Sequence, residues 1–173
     1  GVWYTYNKNN EYIKVDSPIF AVKSNKKYSV PKYEFQNLNN DDLKELKTIM
    51  KDDEINDFSL LDAQKIVFDF DDDDEKESLY IVSNYYDDLT SNKKFSIVYY
   101  KDNNKISILE KDVKLRKESY DSYTYNLGHL IDIKDDKKIE LIISKECFNN
   151  VCDDCYEMFK LKFGKYKRIK TCD

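Results

Sequence analysis

The chain has 173 residues, a length that suits one domain with a sizeable core. Charged residues make up 36% of the sequence with both signs interleaved, and the net charge is −5, so the basic stripe of a nucleic-acid-binding protein is missing. No apolar run approaches the roughly 18 residues of a membrane span. The 15 tyrosines and 9 phenylalanines favour half-buried strands, and we expect a single, mainly β domain over residues 1–173.

Three segments predict β-hairpins in chain order. They are residues 2–15, 95–110 and 156–171, with turns near 7–10, 101–104 and 164–165. Asn and Gly at these turns tolerate the positive φ that tight hairpins need. The polar stretch 112–126 has no such pattern and predicts a connector.

One inserted helix is predicted near 41–51. Asn40 is a suitable N-cap, and Asp41 and Asp42 suit the first helical turn because the N-terminal end of a helix dipole favours negative charge. Its apolar residues fall on one face, as an amphipathic helix requires: Leu43, Leu46, Ile49 and Met50.

An acidic stretch between two predicted strands carries the first candidate site. Its carboxylates fall at relative positions one, three, five and nine: Asp69, Asp71, Asp73 and Glu77. Oxygen ligands at alternate positions with a closing acidic side chain are typical of short calcium loops. The alternative is a solvated acidic turn whose charges discourage pairing at a strand edge.

The same frame recurs 63 residues later, from Asp69 to Asp132. This second stretch offers Asp132, Asp136 and Glu140, but Lys134 stands at the third position. An ammonium supplies no oxygen ligand, and it can replace a cation by pairing with nearby carboxylates. We therefore expect one calcium site and one lost site, within internal repeats at about 64–110 and 127–172 and a partial related hairpin at 2–15.

These two stretches resemble the aspartate-rich repeats of FG-GAP and VCBS type proteins, whose element is Asp-x-Asp/Asn-Gly-Asp-Gly-x-x-Asp/Glu before an apolar strand. The resemblance implies calcium-binding loops and propeller blades. The glycines of the element are replaced by Asp72 and Asp74 in the first copy and by Asp135 and Lys137 in the second. We expect antiparallel, blade-like hairpin repeats, arranged as a propeller-like assembly or a small sandwich.

All four cysteines lie near the C-terminal end of the sequence: Cys147, Cys152, Cys155 and Cys172. If the last hairpin turns at Gly164, Cys155 pairs with Cys172 and Cys147 with Cys152; the other pairing joins Cys147 to Cys155 and Cys152 to Cys172. Four thiolates would also suit a zinc site, and Cys-x-x-Cys a redox centre. Disulfides indicate a compartment outside the cytosol.

Catalytic signals are sparse. His129, the one histidine, reads as a strand-edge residue, and three glycines provide no phosphate-binding loop. Acidic pairs are abundant but lie in charge-dense stretches, where we expect no raised pKa. We predict a non-catalytic binding domain that is secreted, periplasmic or at the cell surface, with its export signal removed, and that recognises protein or glycan. The alternatives are a hydrolase with paired carboxylates and an intracellular interaction or inhibitor protein with reduced cysteines.

Overall fold

The computed structural model describes residues 3–6, 12–15, 29–55, 58, 61–85, 92–117, 122–133, 135–147, 155–162 and 164–170. Within these residues the fold is mainly β, as predicted. The strands are β1 (Trp3–Tyr6), β2 (Tyr12–Val15), β3 (Phe35–Gln36), β4 (Asp62–Phe68), β5 (Glu77–Ser83), β6 (Lys93–Asp102), β7 (Lys105–Leu115), β8 (Tyr123–Ile131), β9 (Glu140–Cys147), β10 (Cys155–Lys162) and β11 (Lys165–Lys170).

Two antiparallel meanders form the body of the described structure. The first sheet has the order β3-β4-β5-β6-β7, and the second has the order β11-β10-β9-β8; β1 and β2 pair separately. The predicted hairpins at 95–110 and 156–171 therefore correspond to β6–β7 and β10–β11. The predicted connector 112–126 is wrong at both ends, because β7 continues to Leu115 and β8 begins at Tyr123.

The inserted helix, α1, spans Asn40–Ile49 and is followed by a 3₁₀ turn at Lys51–Asp53. Its N-cap is Asn39 rather than the predicted Asn40. The Asn39 side chain accepts from the backbone N–H of Asp42 at 3.0 Å, and the Asp42 carboxylate accepts from the Asn39 N–H at 2.8 Å. This reciprocal capping box satisfies amides that a helix start leaves unpaired. In the described chain α1 is too short and too polar to cross a membrane.

The layers pack as helix, first sheet and second sheet. Strand alternation sends Leu79 and Ile81 of β5 to one face and Tyr80 and Val82 to the other. The Leu79 face joins the second sheet in the larger core: Ile66, Phe70, Leu79, Ile81, Val98, Tyr100, Tyr125, Leu130, Ile139, Leu141, Ile143, Phe159, Leu161 and Tyr166. The Tyr80 face is covered by Leu46 and Met50 from the helical segment.

The two sheets stack front to back. Leu79 faces the second sheet, whereas its counterpart 63 positions later, Ile142, lies on the opposite face from the core residues Leu141 and Ile143. Equivalent faces of the two meanders thus point in the same direction. Two antiparallel sheets stacked in this way are consistent with a propeller-like arrangement or a small sandwich.

A segment at 29–36 links the two sheets along one side. Ser29 exchanges backbone hydrogen bonds of 3.2 and 2.9 Å with Asp132, which follows β8. A few residues later, β3 pairs with β4 through Phe35 and Ile66. The segment therefore holds the end of β8 near the end of β4, and the two acidic stretches begin at those ends.

Candidate metal centre

The first acidic loop, residues 69–76, is folded around the side chain of Asp69. Asp69 Oδ1 accepts from the backbone N–H of Asp72 at 2.7 Å, and Oδ2 accepts from that of Asp74 at 3.1 Å. A short side chain that accepts from its own downstream amides is a common way to close a tight turn. Phe70 is fully buried and packs against Tyr100, which anchors the loop in the core.

Three of the four predicted ligands converge. Within the described residues, carboxylate oxygens of Asp69, Asp71 and Glu77 lie within 4.8 Å of one another, so this triad could hold a metal ion. Asp73 is outside the triad, and its carboxylate instead accepts from the backbone N–H of Glu75 at 2.9 Å. The tip of the loop, residues 72–76, is exposed, as in the alternative of a solvated acidic turn, whereas Glu77 is buried.

The triad is short of positive charge. Burial raises the pKa of Glu77 from 4.5 to about 7, and the charges of Asp71, Asp73 and Asp69 add to the shift, while the Phe70 N–H at 2.8 Å opposes it. Burial likewise raises the pKa of Asp71, and among the described residues its buried Oδ1 has no hydrogen-bond partner. The expectation that no acidic pair has a raised pKa is therefore wrong here, because folding removes Glu77 from water.

The second acidic loop, residues 132–139, shares two of these side chain–backbone hydrogen bonds, since Asp69 Oδ1 also accepts from the N–H of Asp73 at 3.3 Å. Asp132 Oδ1 accepts from the N–H of Asp136 at 3.1 Å, and Oδ2 accepts from that of Lys137 at 2.8 Å. Glu140 accepts from the N–H of Ile133 at 3.1 Å, as Glu77 accepts from Phe70. The described parts of the two loops thus have similar local geometry, and we look to other side chains for the difference between them.

Loop positions that the FG-GAP and VCBS element fills with glycine have positive φ in both copies. The angles are 64° at Asp72, 68° at Asp74, 56° at Asp135 and 60° at Lys137. This left-handed conformation costs an L-residue free energy that glycine does not lose, and Asp tolerates it better than most residues. The replacements therefore keep the shape of the loop at some cost in stability.

The residues opposite the two loop-closing glutamates, Glu77 and Glu140, differ in the sign of their charge. Lys160 Nζ lies 2.9 Å from Glu140 Oε1, and both side chains are largely buried. In the first sheet Ser78 pairs with Lys101, so the next position opposite Glu77 belongs to Asp102, a second carboxylate. The second loop thus contains an internal counter-ion, whereas the first loop adds another negative charge.

This counter-ion was not the one anticipated. The sequence suggested that Lys134 replaces a cation, but Lys134 lies outside the described residues and Lys160 of β10 pairs with Glu140. Neither Asp102 nor Lys160 is close to its loop in sequence. Strand register would have identified both, since each lies one strand away from the glutamate that it faces.

The two loops also touch. The N–H of Ile139 donates to the carbonyl oxygen of Phe70 at 3.0 Å, and Lys137 Nζ lies 3.0 Å from Asp72. The lysine pair is exposed and contributes little to stability. Lys138 is the cation that acts on Asp71, whose pKa it lowers against the stronger effect of burial.

Cys147 ends β9 and Cys155 begins β10. Neither described cysteine is a free thiol, and both are disulfide-bonded. Cys152 and Cys172 lie outside the described residues, so the pairings stay a prediction.

His129 lies on β8, the edge strand of the second sheet, beside a cavity of about 310 Å³ that Ser144 and Glu146 also line.

Comparisons with known proteins add no assignment: no protein-family model matches the chain, and no curated protein or solved structure matches it either. We therefore infer function from the geometry of the two loops.

Proposed function

We propose that this chain is a non-catalytic binding domain whose first acidic loop takes one calcium ion. The observation that carries the proposal is the contrast between two loops of similar backbone geometry. Glu140 faces the ammonium of Lys160 at 2.9 Å, whereas continuing the strand register from the Ser78–Lys101 pair places the carboxylate residue Asp102 opposite Glu77. Where the second loop has a built-in cation, the first has a place for an external one.

The chemistry of the donors favours calcium. Asp69, Asp71 and Glu77 offer only carboxylate oxygens, which are hard ligands suited to calcium or magnesium, whereas zinc prefers Cys and His. Calcium accepts six to eight oxygens in a flexible geometry, so three carboxylates on an irregular loop, completed by water, suit it better than they suit octahedral magnesium.

A bound cation would reverse the electrostatic cost of the fold. The raised pKa of Glu77 means that its ionised form is unfavourable in the folded, metal-free protein. A divalent ion beside the triad stabilises the ionised form and lowers that pKa. Calcium would then hold the end of β4 to the start of β5, close to the contact between the two loops.

A binding role is favoured over the hydrolase alternative by the location of the paired carboxylates. Glu110 and Glu157 share Arg168 but are both buried. Neither is among the residues that line the cavities beside Tyr33, Arg116, Tyr125 and His129. A hydrolase of this kind needs its two acids in an open cleft that a substrate can enter.

Calcium-dependent thermal melting tests the proposal. At a calcium concentration of about 100 times Kd, binding to the folded state alone adds about 2.7 kcal/mol, which raises Tm by about 5–10 °C for a chain of this size. Asp71→Asn should abolish the rise, because Asp71 belongs to the triad. The control is Asp136→Asn in the second loop, which should respond to calcium as the wild type does.

No change in Tm between millimolar calcium and chelator would overturn the proposal of a calcium site. Magnesium and zinc, tested at the same concentration, identify the ion if one of them gives the larger rise.

The ligand of the domain is proposed to be protein or glycan outside the cytosol. Support comes from the resemblance of the loops to calcium-binding surface repeats, and from the bonded state of Cys147 and Cys155. Mass measurement under non-reducing conditions, on protein purified from its native source, distinguishes this reading from an intracellular one. Four alkylatable thiols would favour the intracellular interaction or inhibitor protein.

A further inference from the structure

A second group of buried charges lies between the two sheets, away from the acidic loops. Arg168 of β11 contacts Glu110 of β7, and its Nε lies 2.9 Å from Glu157 Oε2 of β10. The two glutamate side chains are only 7% and 4% exposed, whereas the arginine side chain is 38% exposed. One guanidinium therefore serves two buried carboxylates that belong to different sheets.

The position of Arg168 is fixed from two sides. It pairs in register with Phe159 on β10, and its guanidinium carbon lies 5.5 Å from the centre of the Phe159 ring. Glu110 pairs in register with Val98, a residue of the core between the sheets, so its side chain faces the second sheet. Arg168 thereby ties the edge strand β11 to the edge strand β7.

One proton balances the charges of this cluster. Two ionised carboxylates around one arginine leave a net negative charge in a site with little water, where like charges repel strongly. A single proton shared between the carboxylates removes that repulsion and supplies a donor for a hydrogen bond between them. Two carboxylates held together commonly share a proton in this way.

We propose that Glu110, Glu157 and Arg168 form a proton-operated clamp between the two sheets. The clamp is closed while the two carboxylates share a proton. When that proton leaves to solvent, the carboxylates repel each other and the contact between β7 and β11 opens to water.

The pH range follows from the surroundings of the pair. Burial, with the hydrogen bond and charge of Glu157, raises the pKa of Glu110 from 4.5 to about 7, and Arg168 opposes the shift. From β8, Tyr125 also faces the cluster, and burial keeps its pKa so high that it is neutral throughout this range. Asp112, nearby on β7, accepts from the N–H of Tyr123 at 2.7 Å.

The direction of the pH dependence is set by which state, closed or open, holds the proton more tightly. The folded state keeps it up to about pH 7, whereas an opened cluster, hydrated like a free glutamate, releases it near 4.5. The stabilising effect of the clamp is therefore complete below about pH 4.5 and is lost as the pH rises to about 7. Between those limits the opening equilibrium rises by up to about tenfold per pH unit.

Amide hydrogen exchange of β7 and β11 between pH 5 and 8, corrected for the intrinsic pH dependence of exchange, tests the clamp. Glu110→Gln keeps the shape of the side chain and replaces the proton with an amide donor. It should make the opening equilibrium independent of pH, while wild-type protein opens progressively. Glu146→Gln removes an exposed carboxylate from the same sheet as β11 and should behave as wild type.

Equal pH profiles for wild type and Glu110→Gln would overturn the clamp. A direct measurement covers the case in which that variant fails to fold: carboxyl carbon NMR of wild-type protein labelled at glutamate. We expect a titration midpoint near pH 7 for Glu110. A Glu110 midpoint in the ordinary glutamate range would also refute the proposal.

Discussion

Replacing Asp102 with lysine should convert the first acidic loop into a copy of the second. The new ammonium would lie opposite Glu77, as Lys160 lies opposite Glu140. We expect Asp102→Lys to lose the calcium response, because the built-in charge would occupy the electrostatic role of the metal and repel it. We also expect the metal-free protein to become more stable, since Glu77 gains a partner.

The magnitude follows from the pKa of Glu77. A rise from 4.5 to about 7 corresponds to about 3 kcal/mol of unfavourable free energy for the ionised form when that form is fully populated. A flexible lysine would relieve only part of this amount, so we expect a gain of about 1–2 kcal/mol at pH 8. At pH 4 the gain should vanish, because Glu77 is then protonated in both the folded and the unfolded states.

The assay is urea unfolding in chelator at pH 4, 6 and 8, for wild type and Asp102→Lys. Wild-type stability should fall as the pH rises from about 4.5 to 7, and the variant should flatten that fall. Glu110 titrates in the same range, so the comparison is repeated in a Glu110→Gln background. The reasoning is refuted if Asp102→Lys is less stable than wild type at pH 8, or if it binds calcium as tightly.

Two further outcomes are expected. Lys160→Met should destabilise the protein by about 3–5 kcal/mol at pH 7, because it leaves the buried Glu140 without its counter-ion. Chemical unfolding measures this loss, and adding Glu140→Gln to the same chain should restore most of it. At the exposed position Asp135 the backbone φ is 56°. Asp135→Gly should therefore stabilise the protein by up to about 1 kcal/mol, and Asp135→Val should destabilise it by about 1 kcal/mol or more. Equal unfolding free energies of the two variants would contradict a left-handed backbone there.

Interactions that join residues close in the chain could be predicted from the sequence. The hairpins follow from apolar alternation and turn residues, and the two loops follow from an aspartate that accepts from amides three to five residues later. The helix was predicted with an error of one residue at its N-cap, because Asn39 and Asn40 are both suitable and only the capping box with Asp42 selects Asn39. The connector at 112–126 was predicted wrongly because polar strand ends lack an apolar pattern.

The tertiary structure decided which charges meet. Strand register places Asp102 opposite Glu77 and brings Lys160 to Glu140, and a shift of one residue would turn each of these side chains to the other face. Glu110, Glu157 and Arg168 meet only because two sheets stack, over a separation of up to 58 residues in the chain. Sequence alone places acids in a loop, but burial and cross-strand neighbours set whether they hold a proton, pair with lysine or could hold a metal ion.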